Sequence, residues 1–274
     1  MMTKLFCYPD TSLRRLSDRH ESAAKTGSLR SGLLVCFVTF MAALLPAQNE
    51  DGMAVLQRID ENLTSENRIF EAKMIVHGRR GSRTMEFKAW TQGEEKSFTE
   101  YLAPARERGT KMLKLGDRLW MYSPSTDRTI QISGHMLRQS VMGSDLSYED
   151  MMEDPRLSHH YGAEIAGSDT VDGRACLILA LSATDADVAY FSRKIWVDRE
   201  RYIPLREELF ARSGKMLKRT ELKEITQIEN RWFPRHILYK DVLKRGKGTE
   251  FIIEKIDFDV EIPGHIFSKA VLRR

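Results

Sequence analysis

From Phe70 onwards, apolar and polar residues alternate along many short segments, and this period of two constrains the fold more than any other feature. Residues 70–76 (FEAKMIV) and 85–90 (MEFKAW) show the alternation, which buries one face of a strand and leaves the other largely solvated. Turns such as Gly-Asp, Asp-Gly, Ser-Gly and Lys-Gly separate many of the segments. Strands are predicted at residues 70–76, 85–90, 96–102, 110–115, 118–122, 129–132, 163–170, 174–181, 193–198, 205–211, 216–225, 232–239 and 250–258.

The spacing of these strands, with no alternation of strand and helix, predicts a large, meandering antiparallel sheet. A sheet of about eleven strands tends to curl, and two or three short helices are too few to cover one face alone. We therefore predict a mainly β (α+β) fold, an unclosed, strongly curved antiparallel β-barrel of about eleven strands. Helices at residues 52–65, which carry an apolar stripe, and at residues 134–152 are expected to plug its concave face.

Residues 134–152, here named the lid segment, follow directly on a predicted pair of strands. At Gly134 the period of two ends and an apolar, methionine-rich stretch begins. Met136, Leu137, Val141 and Met142 are predicted to face inward as one cluster. Because methionine is unbranched and polarizable, such a cluster adapts to ligands without a fixed shape. Plain core packing explains the same pattern equally well.

The amino terminus indicates that the chain is exported. Residues 31–45 (SGLLVCFVTFMAALL) are uncharged and follow a basic leader that includes Arg14, Arg15 and Arg30. A run of about 15 residues suits the apolar region of a signal peptide better than a membrane span, which needs about 20. We predict a signal peptide over residues 1–47, with an uncleaved anchor as the alternative, and a single domain over residues 48–274.

Charge and cysteine content argue against a nucleic-acid-binding protein and against a disulfide-stabilised one. The leader carries six Lys or Arg against three Asp or Glu, so the rest of the chain is nearly neutral and has no electrostatic footprint for nucleic acid. Only Cys176 lies beyond residue 47, so no intramolecular disulfide is expected there. Its apolar neighbours favour a buried, inert thiol over a nucleophile.

We predict that the protein is not an enzyme and needs no cofactor. The sequence has neither a Gly-x-Ser-x-Gly elbow nor a glycine-rich phosphate loop. His159 and His160 follow Glu153 and Asp154, but adjacent histidines on an extended segment point to opposite faces, and no third metal ligand comes at a recognisable spacing. The acidic residues 149–154 are interpreted as a solvated helix face, with a docking surface for a basic partner as the alternative.

The chain resembles the outer-membrane lipoprotein-sorting proteins, the LolA/LolB-like family. The block YSPSTDRTIQISGHMLRQSVMGSDLSYEDM, residues 122–151, is the most specific part of this resemblance. Weaker support comes from MAVLQRIDENL near the start, from WVDRERYIPLREELF at residues 196–210 and from FDVEIPGHIFSKAVL at residues 258–272. Together these segments extend the resemblance over residues 52–272.

The resemblance implies a periplasmic, non-covalent carrier with an unclosed barrel, a helical lid and a cavity for the acyl chains of lipoproteins or other lipids. An inner-membrane transporter or an outer-membrane acceptor is a further expected partner. In the family's best-studied carrier a basic residue on an early strand holds the lid shut. Arg79, Arg80 and Arg83 fall in a predicted turn, so none of them is assigned that role.

The inward face of the strands is inferred, and a one-residue error in register would exchange half of the predicted lining. The predicted cavity lining is Phe70, Met74, Met85, Phe87, Trp90, Phe98, Leu113, Trp120, Tyr122, Met136, Leu137, Val141 and Met142. Two alternatives use the same hydrophobic cavity: a periplasmic adaptor or sensor that signals to a protein partner, and an accessory subunit of an inner-membrane exporter.

Overall fold

The computed structural model describes residues 50–79, 81–186 and 188–273, and thirteen strands dominate them. The strands are β1 (Asn67–Gly78), β2 (Gly81–Gln92), β3 (Lys96–Ala103), β4 (Lys111–Leu115), β5 (Arg118–Ser123), β6 (Arg128–Ile132), β7 (Tyr161–Val171), β8 (Arg174–Ala183), β9 (Ser192–Asp198), β10 (Pro204–Phe210), β11 (Met216–Ile228), β12 (Arg231–Asp241) and β13 (Gly248–Phe258). Each of the thirteen predicted segments overlaps one of these strands. The predicted total of about eleven strands is nevertheless too low by two. The predicted signal peptide, residues 1–47, lies outside the described residues.

All thirteen strands form one antiparallel sheet in the order β6-β5-β4-β3-β2-β1-β13-β12-β11-β10-β9-β8-β7. The first and last strands of the chain pair with each other, since Phe70 of β1 is in register with Ile256 of β13. The two sheet edges, β6 and β7, are consecutive in the chain, and within the described residues no strand pairing joins them. The predicted mainly β, unclosed architecture is therefore confirmed.

Two α-helices accompany the sheet in the part of the chain that the structure describes. Helix α1 (Gly52–Leu63) begins after Asp51, whose carboxylate accepts a hydrogen bond from the Met53 amide at 3.2 Å and so satisfies an amide at the helix start. Helix α2 (Tyr148–Met152) begins with a capping box between Ser147 and Asp150. No helix among residues 50–79, 81–186 and 188–273 is long and apolar enough to cross a membrane.

The lid segment joins the two sheet edges and consists of three short helical pieces, not one continuous helix. These are the 3-10 helices Gly134–Arg138 and Val141–Gly143, followed by α2. Between the 3-10 pieces and α2 the chain is held by Asp145, whose carboxylate accepts hydrogen bonds from the Thr249 hydroxyl at 2.8 Å and from the Asp241 amide at 3.0 Å. Thr249 is fully buried, so this part of the lid segment is fixed to β12 and β13.

Both faces of the β1–β5 half of the sheet carry apolar clusters. On one side, Met74, Met85 and Phe87 pack against Val141 and Tyr148 of the lid segment; we call this side the lid face. The opposite face is covered by the 3-10 helices Gly264–Phe267 and Lys269–Arg273. The sheet is therefore apolar on both sides here, and hydropathy alone does not tell the sides apart.

Helix α1 covers the other half of the sheet. Val55, Leu56 and Ile59 are buried against Leu179 of β8 and Ile195 of β9. The apolar stripe that predicts this helix is thus the surface that it buries.

Candidate functional site

A cavity of about 450 Å³ lies between the lid segment and the lid face of the sheet. Phe70, Met74 and Phe87 line it from β1 and β2, while Val141 and Met151 line it from the lid segment. These side chains share one face because alternate residues of a strand point to the same side. The arrangement forms a partly open cavity with an apolar wall beneath a short, separately attached segment.

Aromatic rings from four strands form one wall of the cavity. The ring of Phe87 lies 6.2 Å from that of Phe70 and 5.3 Å from that of Phe251, centroid to centroid. Phe251 also contacts the ring of Tyr239 at 6.4 Å. Edge-to-face and tilted contacts at these distances are favourable for aromatic pairs, so this wall is well packed.

The structure brings together eight of the thirteen residues that the sequence predicts to line a cavity. Phe70, Met74, Phe87 and Val141 line the cavity itself. Met85, Met136, Leu137 and Met142 belong to the same apolar cluster without reaching the cavity surface.

The other five predicted residues lie on the opposite face of the sheet, which corrects their predicted position. These are Trp90, Phe98, Leu113, Trp120 and Tyr122. Trp90 pairs with Phe98 across β2 and β3, and Leu113 pairs with Trp120 across β4 and β5, so all share one side. The C-terminal helical pieces bury that side through Phe267 and Leu272.

Charged side chains also line the cavity, and the sequence pattern does not reveal them. Arg68 lies on β1, Arg193 on β9, Glu207 on β10 and Lys218 on β11, and all four contribute to the wall. An alternation argument assigns charged residues to the solvated face, so it misses inward-pointing charges. The cavity is therefore an apolar volume with a polar, charged part.

Polar groups from the sheet hold α2 against the cavity. Lys218 donates a hydrogen bond to Oδ2 of Asp150, and the Tyr190 hydroxyl donates to Oδ1 of Asp150 at 2.5 Å. Lys114 donates from Nζ to the Met152 carbonyl at 3.0 Å. These contacts come from three separate parts of the sheet and its connections, so α2 is fixed from several directions.

A second ion pair corrects the interpretation of residues 149–154 as a solvated face. Arg193 donates a hydrogen bond to Glu153, and its side chain is only 4 % exposed. Burial raises the pKa of Glu153, while the nearby Arg193 charge opposes that shift. Glu153 and Asp150 thus point into the structure and not into solvent.

Arg83 contacts the lid segment from an early strand. The sequence places Arg83 in a turn, but it lies within β2, and its Nη2 donates a hydrogen bond to the Met142 carbonyl. From the opposite side, Lys244 donates to the Ser140 hydroxyl at 2.5 Å and to the Ser144 carbonyl at 2.6 Å. The lid segment is therefore held by basic side chains along most of its length.

One group of side chains near the cavity has the composition of a metal site. Candidate ligand atoms of Glu94, Asp154 and His159 all lie within 4.8 Å of one another. The fold thus supplies the third group that sequence spacing does not show. Arg156 Nε lies 2.8 Å from a carboxylate oxygen of Glu94, and His159 Nδ1 forms a hydrogen bond with Asp154 at 3.1 Å. An ion pair and a hydrogen bond therefore account for the arrangement.

Cys176 is fully buried beside Trp196. Burial raises the pKa of its thiol, so the thiol stays protonated and unreactive at neutral pH.

Comparison with known proteins places the chain in a family. A family model described as "-like: Uncharacterized protein" matches residues 93–274, which is more than half of the chain. The chain belongs to this family. A search of curated protein sequences finds no match.

Solved structures share the fold of this family member over nearly their whole length. An outer membrane lipoprotein-sorting protein domain from Vibrio parahaemolyticus, so described, is 22% identical, with a TM-score of 0.71 and coverage of 81% of this chain and 98% of that chain. A DUF1329 family protein from Desulfovibrio piger is 24% identical, with a TM-score of 0.73 and coverage of 81% and 97%. A LolA superfamily protein from Nitrosomonas europaea is 22% identical, with a TM-score of 0.68 and coverage of 81% and 99%. The predicted resemblance to the lipoprotein-sorting, LolA/LolB-like group is thereby confirmed in the fold.

Proposed function

We propose that the protein is a carrier that binds the acyl chains of a lipoprotein or another lipid in the cavity beneath the lid segment. The observation that carries this proposal is the partly open cavity of about 450 Å³ between Met74, Phe87 and Val141. Its size falls within the range of about 300–1,000 Å³ that is usual for small-molecule sites. The apolar wall formed by Phe70, Met74 and Phe87 supports non-enzymatic binding of a hydrocarbon chain.

The energetics of acyl-chain transfer favour an enclosed site. Each methylene group that leaves a bilayer needs compensation of about 0.8 kcal/mol, so a 16-carbon chain needs roughly 12 kcal/mol. A flat patch exposes one side of the chain to water, whereas a cavity surrounds it. Burial between the lid segment and the sheet therefore suits a cargo taken from a membrane.

When the acyl chain is released, other apolar groups must fill the emptied cavity. Met136, Leu137 and Met142 already pack in the cluster that continues into the cavity wall, and flexible methionine side chains can fill an emptied volume. We propose that empty and loaded states are a two-state equilibrium of the lid segment, biased by cargo or by a partner. An inner-membrane transporter and an outer-membrane acceptor are the proposed partners.

The proposed location is the periplasm, with residues 1–47 as the signal peptide. The run at residues 31–45 and the fold shared with lipoprotein-sorting proteins support this proposal together. It places the cavity between two membranes, where a lipid carrier has a donor and an acceptor.

The test is to purify the protein from its native envelope and to analyse it by native and lipid mass spectrometry. We expect a stoichiometric lipid or acylated peptide, and we expect its loss in Leu137→Asp and Met142→Asp. Leu243→Asp is the matched control, because Leu243 is 57 % exposed and lies outside the cavity. Its cargo should remain.

A protein that carries no lipid and also fails to take up fluorescent fatty acids would overturn the carrier proposal. A protein-binding adaptor would then explain the fold better. Ligand-dependent affinity for a protein partner would identify the adaptor.

A further inference from the structure

Arg68 occupies an unusual position at the start of β1. It pairs in register with Thr91 of β2 and Phe258 of β13, and it lies on the same side of β1 as Phe70, two residues later. Arg68 and Phe70 both line the cavity. A guanidinium is thus placed next to the aromatic wall, inside the fold.

The Arg68 side chain is short of polar partners. Its Nη1 donates a hydrogen bond to the Leu63 carbonyl at 3.0 Å, while its buried Nε has no hydrogen-bond partner. Among the described residues, no carboxylate oxygen lies within 4.0 Å of a guanidinium nitrogen of Arg68, the distance that defines an ion pair. Buried arginines are normally paired, so an uncompensated one requires an explanation.

Two of the other three cations that line the cavity differ from Arg68 in this respect, and the third, Lys114, lies near the charges of Asp154 and Glu94. Lys218 pairs with Asp150, and Arg193 pairs with Glu153. The neighbouring Arg231 also has a carboxylate, that of Asp259 at 3.1 Å. Each of these charges is neutralised by the protein itself, whereas that of Arg68 is not.

A second cation, Arg231, lies near Arg68. Burial lowers the pKa of Arg68, and the nearby Arg231 charge lowers it further, while Tyr239 acts in the opposite direction. The guanidinium nevertheless stays protonated at neutral pH because its intrinsic pKa is so high. Its planar set of donors matches the oxygen atoms of a carboxylate or a phosphate.

We propose that Arg68 binds the anionic headgroup of an amphiphile whose acyl chain occupies the cavity. This inference rests on the proposed carrier function and adds the charge class of the cargo. The chemistry that Arg68 recognises is a carboxylate or a phosphate joined to a hydrocarbon chain. Phe70 lies beside Arg68 on the lid face, so chain and headgroup find their matching surfaces next to each other.

The test compares two ligands with the same chain and different heads. Binding of dodecanoate and of dodecanol to the full chain, purified as its host processes it, is measured by displacement of a fluorescent fatty acid at pH 8. We expect dodecanoate to bind at least about tenfold more tightly, which is the scale of one charge-assisted hydrogen bond. Arg68→Gln should remove this difference and leave dodecanol binding unchanged.

Two further variants make the result specific. Arg118→Gln removes the same charge from an exposed position on β5, and it should leave both affinities unchanged. Arg68→Lys keeps a positive charge at the site, and it should retain part of the preference for dodecanoate. Acetate and inorganic phosphate serve as anions without a chain and should bind far more weakly than dodecanoate.

Each other outcome overturns a stated part of the proposal. Equal binding of dodecanoate and dodecanol by the wild-type protein would reject the headgroup role and leave the carrier function standing. Loss of both ligands in Arg68→Gln would assign Arg68 a structural role instead. Acetate or phosphate binding as tight as dodecanoate would indicate a site for free anions. Binding of neither amphiphile by the wild-type protein would reject the carrier function itself.

Discussion

Lys218 of β11 donates a hydrogen bond to Asp150 of α2, and the two side chains are only 14 % and 13 % exposed. Burial alone would raise the pKa of Asp150. The Lys218 charge, the Ser147 amide and the Tyr190 hydroxyl together outweigh burial and hold that pKa below its ordinary value. The ion pair therefore ties the lid segment to the sheet, and removal of either partner leaves a poorly solvated charge behind.

We predict that Asp150→Asn loosens α2. The substitution leaves the Lys218 ammonium without its counter-charge, and loss of one partner of a buried pair typically costs about 3–5 kcal/mol. Amide hydrogen exchange of residues 148–152 should become faster, while exchange in β1 and β13 stays slow. Unchanged exchange in α2 would show that the ion pair does not hold the lid segment.

The matched control for that variant is Lys223→Gln. Lys223 forms an ion pair with Glu221 on the same strand, at 2.9 Å, but the two side chains are 42 % and 32 % exposed. Exposed pairs of this kind contribute less than about 1 kcal/mol. Exchange in α2 should therefore match that of the wild-type protein.

The lowered pKa of Asp150 predicts a dependence of the lid segment on pH. A carboxyl group with a depressed pKa in the folded state stabilises that state above its ordinary pKa of about 3.9. The stabilisation is lost as the pH falls through the depressed value. The protection factors of the α2 amides, which allow for the pH dependence of intrinsic exchange, should begin to fall below about pH 4. The difference between the wild-type protein and Asp150→Asn should vanish below the depressed pKa of Asp150.

The pKa of Glu207 is shifted in the opposite direction from that of Asp150. Burial raises its pKa, and the Arg193 charge only partly offsets this shift. Since the folded state favours the protonated carboxyl, the ionised form lowers stability at neutral pH. We expect Glu207→Gln to raise the midpoint of urea unfolding at pH 7, with the gain disappearing below the ordinary glutamate pKa of about 4.3. A lower midpoint at pH 7 would contradict this reading of the cavity wall.

The two faces of the sheet should respond differently to loss of an aromatic side chain. Phe87→Ala removes part of the cavity wall, so it should weaken fluorescent fatty acid binding as well as stability. Trp120→Ala opens the opposite face, where Trp120 packs under Lys269 at 4.1 Å, so it should lower stability and leave binding unchanged. Both changes should cost about 3–5 kcal/mol of stability. Equal loss of binding in the two variants would place Trp120 in the site after all.

The sequence predicts where the strands lie, but it does not predict which face of the sheet each apolar side chain occupies. The period of two locates the strands well, because alternate residues such as Met74, Met85 and Phe87 do enter a buried cluster. It does not choose between the faces, because Met85 meets the lid segment while Trp120 meets the C-terminal helical pieces. Both environments are apolar, so the pattern is the same for either.

Inward-pointing charges are the other part that the sequence does not reveal. Arg68 and Glu207 occur in strands where neighbouring charged residues face solvent, and their positions differ only in register. Contacts between distant parts of the chain decide that register, as in the pairing of β1 with β13. A binding site that includes such charges therefore becomes visible only in the folded molecule.

The last prediction concerns Asp60, which joins α1 to the segment after the lid. Asp60 is 6 % exposed, and its carboxylate accepts hydrogen bonds from the amides of Leu157 at 3.1 Å and Ser158 at 3.0 Å. Burial raises the pKa of Asp60, and these hydrogen bonds act against that shift without cancelling it. The carboxylate is thus costly in itself but satisfies two amide groups that would otherwise lack a partner.

We therefore expect Asp60→Ala to be more damaging than Asp60→Asn. Alanine leaves both amides unsatisfied, at about 1–3 kcal/mol each. Asparagine removes the buried charge and keeps an acceptor for one amide, but its NH2 group faces the other amide, which loses its hydrogen bond. The free energy of unfolding in urea, measured at pH 7, should decrease in the order wild type, Asp60→Asn, Asp60→Ala. Glu61→Ala is the control, because Glu61 is exposed on the same helix and should change stability little. If Asp60→Ala unfolds at the same urea concentration as Glu61→Ala, the contact between α1 and Leu157 does not hold this end of the molecule.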